Sequence, residues 1–343
     1  MRQALFISAL VFAAGAASAS PYKEIRDTSV SCTNGLTCDL SLMAKGAPSG
    51  LYSVALSREA GPDTRVRLVV RATSPLAALS DLVFTVDGEE KLRLHVADFD
   101  VDADNYEYAA KDPGAGRALF ALVKDASSLS VGFTADGLGE TGFSLSGVAG
   151  AGLYMDEAQG RLEAKDALVR VGEKDTPPSP VRDISAFEQL PAVLRPDFEA
   201  ESGACGFYEK NRFTRGSGFA VTLADDVVLY VLPCTDGGAY NQPYALYQVS
   251  SGALSEVSLP TMTEDGPSTT TGATNVDWDQ AAGILTAFDK ARGLGDCGTF
   301  DRWKLRDVAG EASFALMESR AKDECDGTGE GGPETWPLLW PKR

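Results

Sequence analysis

A run of alternate carboxylates over residues 98–105 is the most metal-like pattern of the chain. It consists of four aspartates separated by single residues: Asp98, Asp100, Asp102 and Asp104. The first ligands of an EF-hand calcium loop alternate in this way, but the loop also needs glycine at its sixth position and glutamate at its twelfth. This chain has neither, whether the count starts at the first or the second aspartate. We expect a solvated acidic edge here and keep calcium binding as the alternative.

Residues for acid–base or nucleophilic catalysis are scarce. His95 is the only histidine and lies in an alternating segment, 92–96, where we expect a surface or half-buried role. A Ser-His-Asp or Cys-His site would have to use it, and the chain contains no GxSxG or Walker A pattern. A catalytic zinc site prefers at least two imidazoles or free thiolates, so a chain with one histidine is not expected to hold one. Asp277, Asp279 and Asp296 could belong to a carboxylate pair for glycoside hydrolysis, but nothing in their context distinguishes them.

The six cysteines fall along the chain as three separated pairs and allow fifteen pairings. Cys32 and Cys38 flank an Asn-Gly turn signal, which favours a local staple across a hairpin. Pairing Cys205 with Cys234 and Cys297 with Cys325 closes two loops of similar length. Loop-closure entropy gives roughly 2.3 kcal/mol for the short loop and about 3.6 kcal/mol for each longer one. A bond between the two halves stays open as an alternative, worth about 5 kcal/mol by the same argument.

Residues 1–19 have the pattern of a secretory signal peptide. Arg2 supplies the positive charge, residues 4–14 the apolar stretch, and Ala17-Ser18-Ala19 the cleavage box. The apolar stretch is shorter than the roughly 20 residues that span a bilayer as a helix. We therefore predict a bacterial protein that is periplasmic or secreted, with no membrane insertion after signal removal. Disulfide bonds suit that compartment.

The chain is strongly acidic, with a net charge of −18 that becomes −19 once Arg2 is removed with the signal. Nucleic-acid binding needs clustered lysine and arginine, so this charge argues against it and equally against an anionic membrane surface. Most of the acidic excess is expected to serve solvation. The functional alternative is attraction to a cationic partner, such as a basic protein, a polyamine or a divalent metal.

Short alternating apolar segments indicate a mainly β protein with a few short helices. Residues 20–172 are predicted to form a β-sandwich-like domain. Its strands are expected at 65–70, 82–86 and 92–96, with one helix after Pro113 and another over 146–159 that Gly160 ends. Residues 173–196 are predicted as a Pro-rich linker and a short helix. The prolines at 177, 178 and 180 cannot continue a sheet or a helix, and the amphipathic segment 184–190 that follows ends before Pro191.

Residues 197–343 are predicted to form a second domain of antiparallel meanders. Strands are expected at 227–232, 244–249 and 254–259, and again at 283–288, 303–306 and 314–318. Two such meanders resemble propeller blades, but two blades cannot close a propeller. The Ser-, Thr- and Gly-rich segment 264–275 is expected to be a mobile loop.

An ordered series of short motifs runs through the chain. In the second half these are Pro233-Cys234, Gly238-Ala239-Tyr240-Asn241, residues 293–298, Trp303, Cys325 and residues 336–340. Together they resemble a family of proteobacterial secreted proteins known only as domain of unknown function 1176, and residues 154–161 are similar to its mid-chain helix motif. The resemblance implies an exported β-rich protein with no assigned activity. The first half resembles, more faintly, the invasion-associated locus B proteins, through its early cysteine pair and residues 144–147.

Two of these motifs supply candidate binding residues. Gly237-Gly238 could form a turn that presents Tyr240 and Asn241, while a tight loop at residues 293–295 places Arg292 and Asp296 near a disulfide. The alternative is turn geometry around a buried tyrosine. The sequence thus predicts a non-enzymatic binding module, without cofactor, for a cationic protein or a cell-wall component. One version is an inhibitor of a basic lysozyme-like enzyme. A carbohydrate-active enzyme or lectin that uses acidic and aromatic residues of the second half stays as the alternative.

Overall fold

The mainly β prediction is confirmed by a computed structural model of the chain. The structure describes residues 21–135, 137–199, 203–206, 213–263, 265–308, 310–328 and 331–341. The predicted signal segment, residues 1–19, lies outside the described residues. Within this part of the chain, short antiparallel strands dominate and three α-helices are present.

The first half of the molecule contains eleven strands and two helices among the described residues. The strands are β1 (Tyr22–Ile25), β2 (Thr28–Cys32), β3 (Cys38–Met43), β4 (Leu51–Arg58), β5 (Arg67–Ala72), β6 (Asp81–Val86), β7 (Glu89–His95), β8 (Phe99–Asp102), β9 (Glu107–Ala110), β10 (Leu129–Phe133) and β11 (Thr141–Phe143). The helices are α1 (Ala115–Val123) and α2 (Val148–Ala158), close to their predicted positions.

These strands form two antiparallel sheets that share one hydrophobic core. The larger sheet has the order β1-β2-β3-β4-β5-β9-β8, and the smaller has the order β11-β10-β6-β7. Apolar residues of both sheets and of both helices meet in the same cluster, for example Leu40, Leu56, Phe84 and Phe120. In β3 to β5 alternate residues point away from this cluster, since strand side chains alternate between the two faces of a sheet.

The second half begins inside the segment predicted as a linker. Its elements are β12 (Val181–Ile184), α3 (Arg195–Phe198), β13 (Gly218–Ala224), β14 (Val227–Pro233), β15 (Pro243–Ser250), β16 (Ala253–Glu256), β17 (Leu259–Thr263), β18 (Gly266–Thr270), β19 (Gly272–Thr274), β20 (Asp277–Asp279), β21 (Ile284–Lys290), β22 (Gly298–Val308), β23 (Glu311–Lys322) and β24 (Leu338–Trp340).

Two meander sheets make up most of this half, as the repeated strand pattern predicts. One has the order β12-β13-β14-β15-β16, with β19 added to β15, and the other has the order β20-β21-β22-β23-β24. Both contribute to one core cluster that contains Leu229, Leu246, Leu285 and Trp303. β12 pairs with β13 over residues 181–184, so the predicted linker segment supplies a strand to the second half.

The prediction of a mobile loop over residues 264–275 is wrong for the part that the structure describes. β18 pairs with β17 through five residue pairs, and β19 pairs with the start of β15. The Ser, Thr and Gly content of this segment is what predicts a loop. Threonine is β-branched and favours strands, however, and the partner strand β17 includes the buried residues Leu259 and Met262.

The six cysteines form three disulfide bonds: Cys32–Cys38, Cys205–Cys234 and Cys297–Cys325. These are the three pairs that the spacing favours. Cys32 and Cys38 lie directly opposite each other in the β2–β3 register, so their bond closes the turn between these strands. Each bond joins residues of the same half.

Candidate functional site

A groove of about 670 Å³ lies between the two halves, and we call it the inter-half groove. Its floor is the outward face of the larger sheet, with Thr37, Ser57, Arg67, Val69, Glu107 and Ala109. One wall is the loop after β4, with Glu59, Ala60, Asp63, Thr64 and Arg65. The opposite wall belongs to the second half and includes Arg182, Asp183, Ser185, Gln189 and Arg215.

The floor follows from strand alternation and register. Ser57 of β4 lies opposite Arg67 of β5, and Val69 lies opposite Ala109 of β9. Cross-strand partners share a face, so these four side chains point to the same side of the sheet. Their neighbours Leu56 and Leu68 point into the core. The sequence therefore places polar and small residues on a face that the second half only partly covers.

The disulfide-closed turn at residues 33–37 joins the two halves. The Thr33 hydroxyl donates to Asp183 Oδ2 at 2.7 Å, and the Gly35 amide donates to Asp183 Oδ1 at 3.1 Å. A Cβ on Gly35 would lie 2.2 Å from the backbone nitrogen of Asp183, which is closer than any real contact. Glycine is therefore required for the close approach of the two backbones.

Asn34 extends this joint into the second meander sheet. Its Nδ2 donates to the carbonyl of Val276 at 3.2 Å, and its Oδ1 accepts from the amide of Trp278 at 3.0 Å. Leu36 packs against the core clusters of both halves. The Asn-Gly pair, which the sequence indicates only as a tight turn, thus supplies the contact that holds the groove together.

The wall at residues 59–65 is held from behind by Arg161, which is fully buried. Its guanidinium donates to the carbonyls of Glu59 and Gly61 and to the hydroxyl of Thr64, and it forms an ion pair with Asp166. Burial lowers the pKa of Arg161 to about 10. The side chain stays protonated at neutral pH, so these donors are permanent.

Asp156 and Gln159 connect this wall to the disulfide-closed turn. Asp156 forms a buried ion pair with Arg58 at 2.7 Å, and burial lowers the pKa of Arg58 although Asp156 opposes that effect. Gln159 accepts from Arg58 Nε at 2.7 Å and donates to the carbonyl of Leu36 at 2.8 Å. Residues 156–161, noticed in the sequence only as a family-like motif, therefore position both loops that border the groove.

A network of paired charges adjoins the groove at the lining residues Glu107 and Arg215. Arg71 Nε lies 2.7 Å from Glu107, and both Arg71 and Arg215 contact Asp39 Oδ2, at 3.4 and 2.5 Å. Burial lowers the pKa of Arg71, but Glu107 and Asp39 outweigh that effect and raise it above its ordinary value. The side chain of Asp39 is 8% exposed, and its Oδ1 has no hydrogen-bond partner among the described residues.

Other charged groups of the groove face solvent. Arg65, Arg67 and Arg182 are exposed, as are Glu59 and Asp63. Arg67 lies 3.6 Å from Asp100 in a solvent-exposed pair, which contributes little. Arg182 lies over the ring of Tyr230, 5.9 Å from its centroid. Among the described residues, the side chains of Arg65, Glu59 and Asp63 form no ion pair.

The four candidate residues predicted from sequence come together elsewhere, where the β14–β15 loop of one meander sheet contacts the β21–β22 loop of the other. Asn241 Nδ2 donates to Asp289 Oδ1 at 3.1 Å and to the carbonyl of Lys290 at 2.8 Å. Its Oδ1 accepts from Asn275 and from the amide of Lys290. All hydrogen-bonding groups of this amide are therefore used within the protein.

Arg292 and Asp296 form a two-point ion pair beside the Cys297–Cys325 bond. The Arg292 Nε–Asp296 Oδ1 distance is 2.8 Å, and the amide of Gly327 donates to Oδ2 at 2.6 Å. These contacts hold the pKa of the fully buried Asp296 carboxyl well below its usual range. The ring of Tyr240 covers Gly293, where a Cβ would lie 3.3 Å from it. We call Tyr240, Asn241, Arg292 and Asp296 the Tyr240 cluster.

The alternate aspartates lie at and beyond a sheet edge. Asp100 and Asp102 belong to β8, and Asp102 caps the following turn by accepting from Asn105 at 2.8 Å. Among the described residues, the only three potential metal ligands that converge within 4.8 Å are Asp296, Cys297 and Cys325. Both of these cysteines are in a disulfide bond, so their sulfurs are not thiolate ligands.

The remaining residues considered for catalysis have local partners. His95 Nδ1 lies 2.8 Å from Asp81 on the neighbouring strand. Asp279 Oδ1 accepts from the amide of Ala282 at 2.9 Å. The described lining of the inter-half groove includes no aromatic residue. The predicted hydrolase carboxylates and the groove are therefore separate features.

Comparison with known proteins gives a consistent result over the whole chain. No helix among the described residues is long and apolar enough to cross a membrane. No solved structure matches the chain. An Escherichia coli K12 protein described as "Uncharacterized protein YpfG" is 26% identical over 356 aligned positions, which cover 98% of this chain and 96% of that protein. The fainter resemblance to invasion-associated locus B proteins stays a prediction. The family described as "Protein of unknown function (DUF1176)" matches residues 22–343, and the chain belongs to that family.

Proposed function

We propose that this protein is an exported, non-enzymatic binding module of the bacterial envelope, and that the inter-half groove binds part of a cell-wall component. The observation that carries the proposal is that charged side chains of the groove are exposed to solvent. Arg65, Arg182 and Asp63 face solvent in a concave site, whereas Asn241 and Asp296 of the Tyr240 cluster are used inside the protein. Charged groups that face a pocket can bind a ligand directly. Groups that are already paired inside the protein would first have to give up their internal hydrogen bonds.

The groove is also preorganised. Buried Arg161 fixes one wall, and the disulfide-closed turn with Asn34 fixes the position of the second half. Rigid supports of this kind reduce the entropy lost when a ligand binds. The proposal includes the two domains predicted at 20–172 and 197–343, with the site at their junction.

Of the two partner classes that the sequence predicts, the groove favours the cell-wall component. The described lining combines four arginines with four carboxylates, so it suits a small cell-wall fragment with charged groups of both signs better than a uniformly basic protein surface. A cationic protein would have to bind to the acidic surface outside the groove. The proposed location is the periplasm or the exterior of a bacterium, reached through the predicted signal at residues 1–19.

Co-sedimentation of the oxidised protein with purified, protein-free cell-wall sacculi tests the proposal. We expect the wild type to sediment with the sacculi and the double variant Arg65→Glu/Arg67→Glu to stay in the supernatant. The matched control Arg170→Glu/Arg306→Glu makes the same charge change at exposed positions outside the groove lining and should sediment like the wild type.

Two outcomes would count against the proposal. Equal sedimentation of both double variants would move the binding site away from the groove. Absence of sedimentation, together with salt-sensitive binding to a basic lysozyme-like enzyme, would favour the cationic partner instead.

A further inference from the structure

We infer that the inter-half groove binds a short peptide through its free carboxylate and its ammonium group. This inference rests on the proposed function and specifies the chemical part of the ligand that is recognised. The arginines Arg65, Arg67 and Arg182 hold the carboxylate, and the acidic residues Glu59 and Asp63 hold the ammonium.

In the described lining of the groove, the cationic residues are all arginines. Arg65 belongs to one wall, Arg67 to the floor and Arg182 to the opposite wall, and no lysine is present in the described lining. A guanidinium presents two parallel N–H groups that match a carboxylate, whereas an ammonium acts as a point charge. A carboxylate between the walls therefore meets guanidinium groups from both halves of the molecule.

The acidic residues of the groove select against a polyanion. The described lining has four arginines and four carboxylates, the latter being Glu59, Asp63, Glu107 and Asp183. A multiply charged phosphate or sulfate in the groove would also meet these carboxylates, and like charges at an interface are unfavourable. A zwitterion places one charge of each sign in the site. Glu59 and Asp63 are exposed lining residues and accept the positive end.

Size and lining favour a peptide over a sugar. The volume of about 670 Å³ lies in the range of small-ligand pockets and is too small for a folded domain. Sugar-binding sites commonly use aromatic rings as stacking platforms, and the described lining has none. Hydroxyl and amide groups of Thr37, Ser57 and Gln189 instead offer hydrogen bonds to a peptide backbone.

Isothermal titration calorimetry of the oxidised full-length protein with trialanine tests the inference. Three probes are compared: trialanine with both ends free, its C-terminal amide and its N-acetyl form. We expect the free peptide to bind at least tenfold more tightly than either blocked form. The variant Arg65→Ala/Arg67→Ala should lose at least tenfold in affinity for the free peptide. The control Arg170→Ala/Arg306→Ala should keep the wild-type affinity.

A second variant separates the two ends of the peptide. Glu59→Gln/Asp63→Asn should bind free and N-acetyl trialanine equally while still preferring the free carboxylate to the amide. Asparagine is chosen at position 63 because that residue has φ of 61°, which asparagine tolerates. Far-ultraviolet circular dichroism and thermal unfolding establish that each variant is folded.

Equal affinity for all three probes, or unchanged affinity of Arg65→Ala/Arg67→Ala, would overturn the inference. Absence of trialanine binding by a protein that still sediments with cell-wall sacculi would overturn the ligand class and leave the proposed function standing. If the protein neither binds trialanine nor sediments with the sacculi, both this inference and the proposed function are wrong.

Discussion

The inter-half groove and the Tyr240 cluster contain the same kinds of polar residue but use them differently. In the Tyr240 cluster, Asp296 is fully buried between Arg292 and the amide of Gly327, and Asn241 ties three segments together. In the groove, exposed charged side chains stand on both walls, and the buried partners lie behind them. The cluster connects two meander sheets, whereas the groove is an open concavity between two halves.

This difference shows why residue type alone is a poor guide to a binding site. A carboxylate and a guanidinium that satisfy each other stabilise a loop, and they have little left for a ligand. The informative property is which polar groups remain directed at solvent inside a rigid concave site. In this protein the rigidity comes from buried residues of α2 and the turn after it, and from the short disulfide-closed turn.

The largest expected effect tests the support behind the groove. Asp156→Ala leaves Arg58 buried without its ion-pair partner, so we expect a loss of about 3–5 kcal/mol in the free energy of unfolding. Urea denaturation measures this loss. Exposed Glu157, one residue away, provides the control: Glu157→Ala should change the free energy by less than about 0.5 kcal/mol. Similar values for the two variants would mean that the buried pair does not support the structure.

The next effect tests the structural role assigned to the Tyr240 cluster. Asn241→Ala removes hydrogen bonds to Asp289, to Asn275 and to both backbone groups of Lys290, so we expect a loss of about 2–3 kcal/mol. Sedimentation with cell-wall sacculi should be unchanged in the folded variant. A variant of full stability that no longer sediments would instead make this cluster the binding site.

A smaller effect is expected at the joint between the halves. Asn34→Ala removes two hydrogen bonds, to Val276 and Trp278, so we expect a loss of about 1–2 kcal/mol and weaker sedimentation with sacculi. Asn105→Ala, at an exposed turn, is the control and should cost less than about 0.5 kcal/mol. Unchanged sedimentation of the Asn34→Ala variant would show that the contacts of Asn34 do not contribute to binding in the groove.

The smallest effect is a pH dependence within the Tyr240 cluster. The pKa of Asp296 in the folded protein lies below its ordinary value of 3.8, because Arg292 and the Gly327 amide favour the carboxylate. The unfolded chain therefore takes up the proton first, so the contribution of Asp296 is complete above pH 3.8 and is lost as the pH falls below it. Chemical denaturation between pH 6 and pH 3 should show a shallower decline for Asp296→Asn than for the wild type. Parallel curves would contradict this assignment.

Local patterns predicted much of the fold. Alternation in β5 to β7 and in β14 to β15, the helix ended by Gly160, and the turn between Cys32 and Cys38 all follow from contacts near in sequence. The loop prediction for segment 264–275 is wrong, because its strands depend on the distant β15 and on the neighbouring β17. Threonine content favours a strand only when such partners exist.

The candidate site was harder to predict than the fold. The groove brings together residues near positions 35, 57, 65, 107 and 182, and no local pattern indicates that they meet. Asn34 and Gly35 carried a usable signal, since an Asn-Gly turn closed by a disulfide is a rigid projection. Asp156 and Gln159 carried another, as polar residues three positions apart at the end of the predicted helix, just before Gly160. Neither signal reveals a partner surface without the tertiary structure.

The most direct test of the groove as the binding site is a heteronuclear NMR titration of the ¹⁵N-labelled, oxidised protein with soluble peptide fragments from digested cell wall. We predict that chemical-shift changes map to groove residues such as Thr37, Ser57, Ala109 and Ser185. Changes confined to Tyr240, Asn241 and the loop at residues 292–296 would contradict the account, because they would make the internally paired cluster the site of recognition.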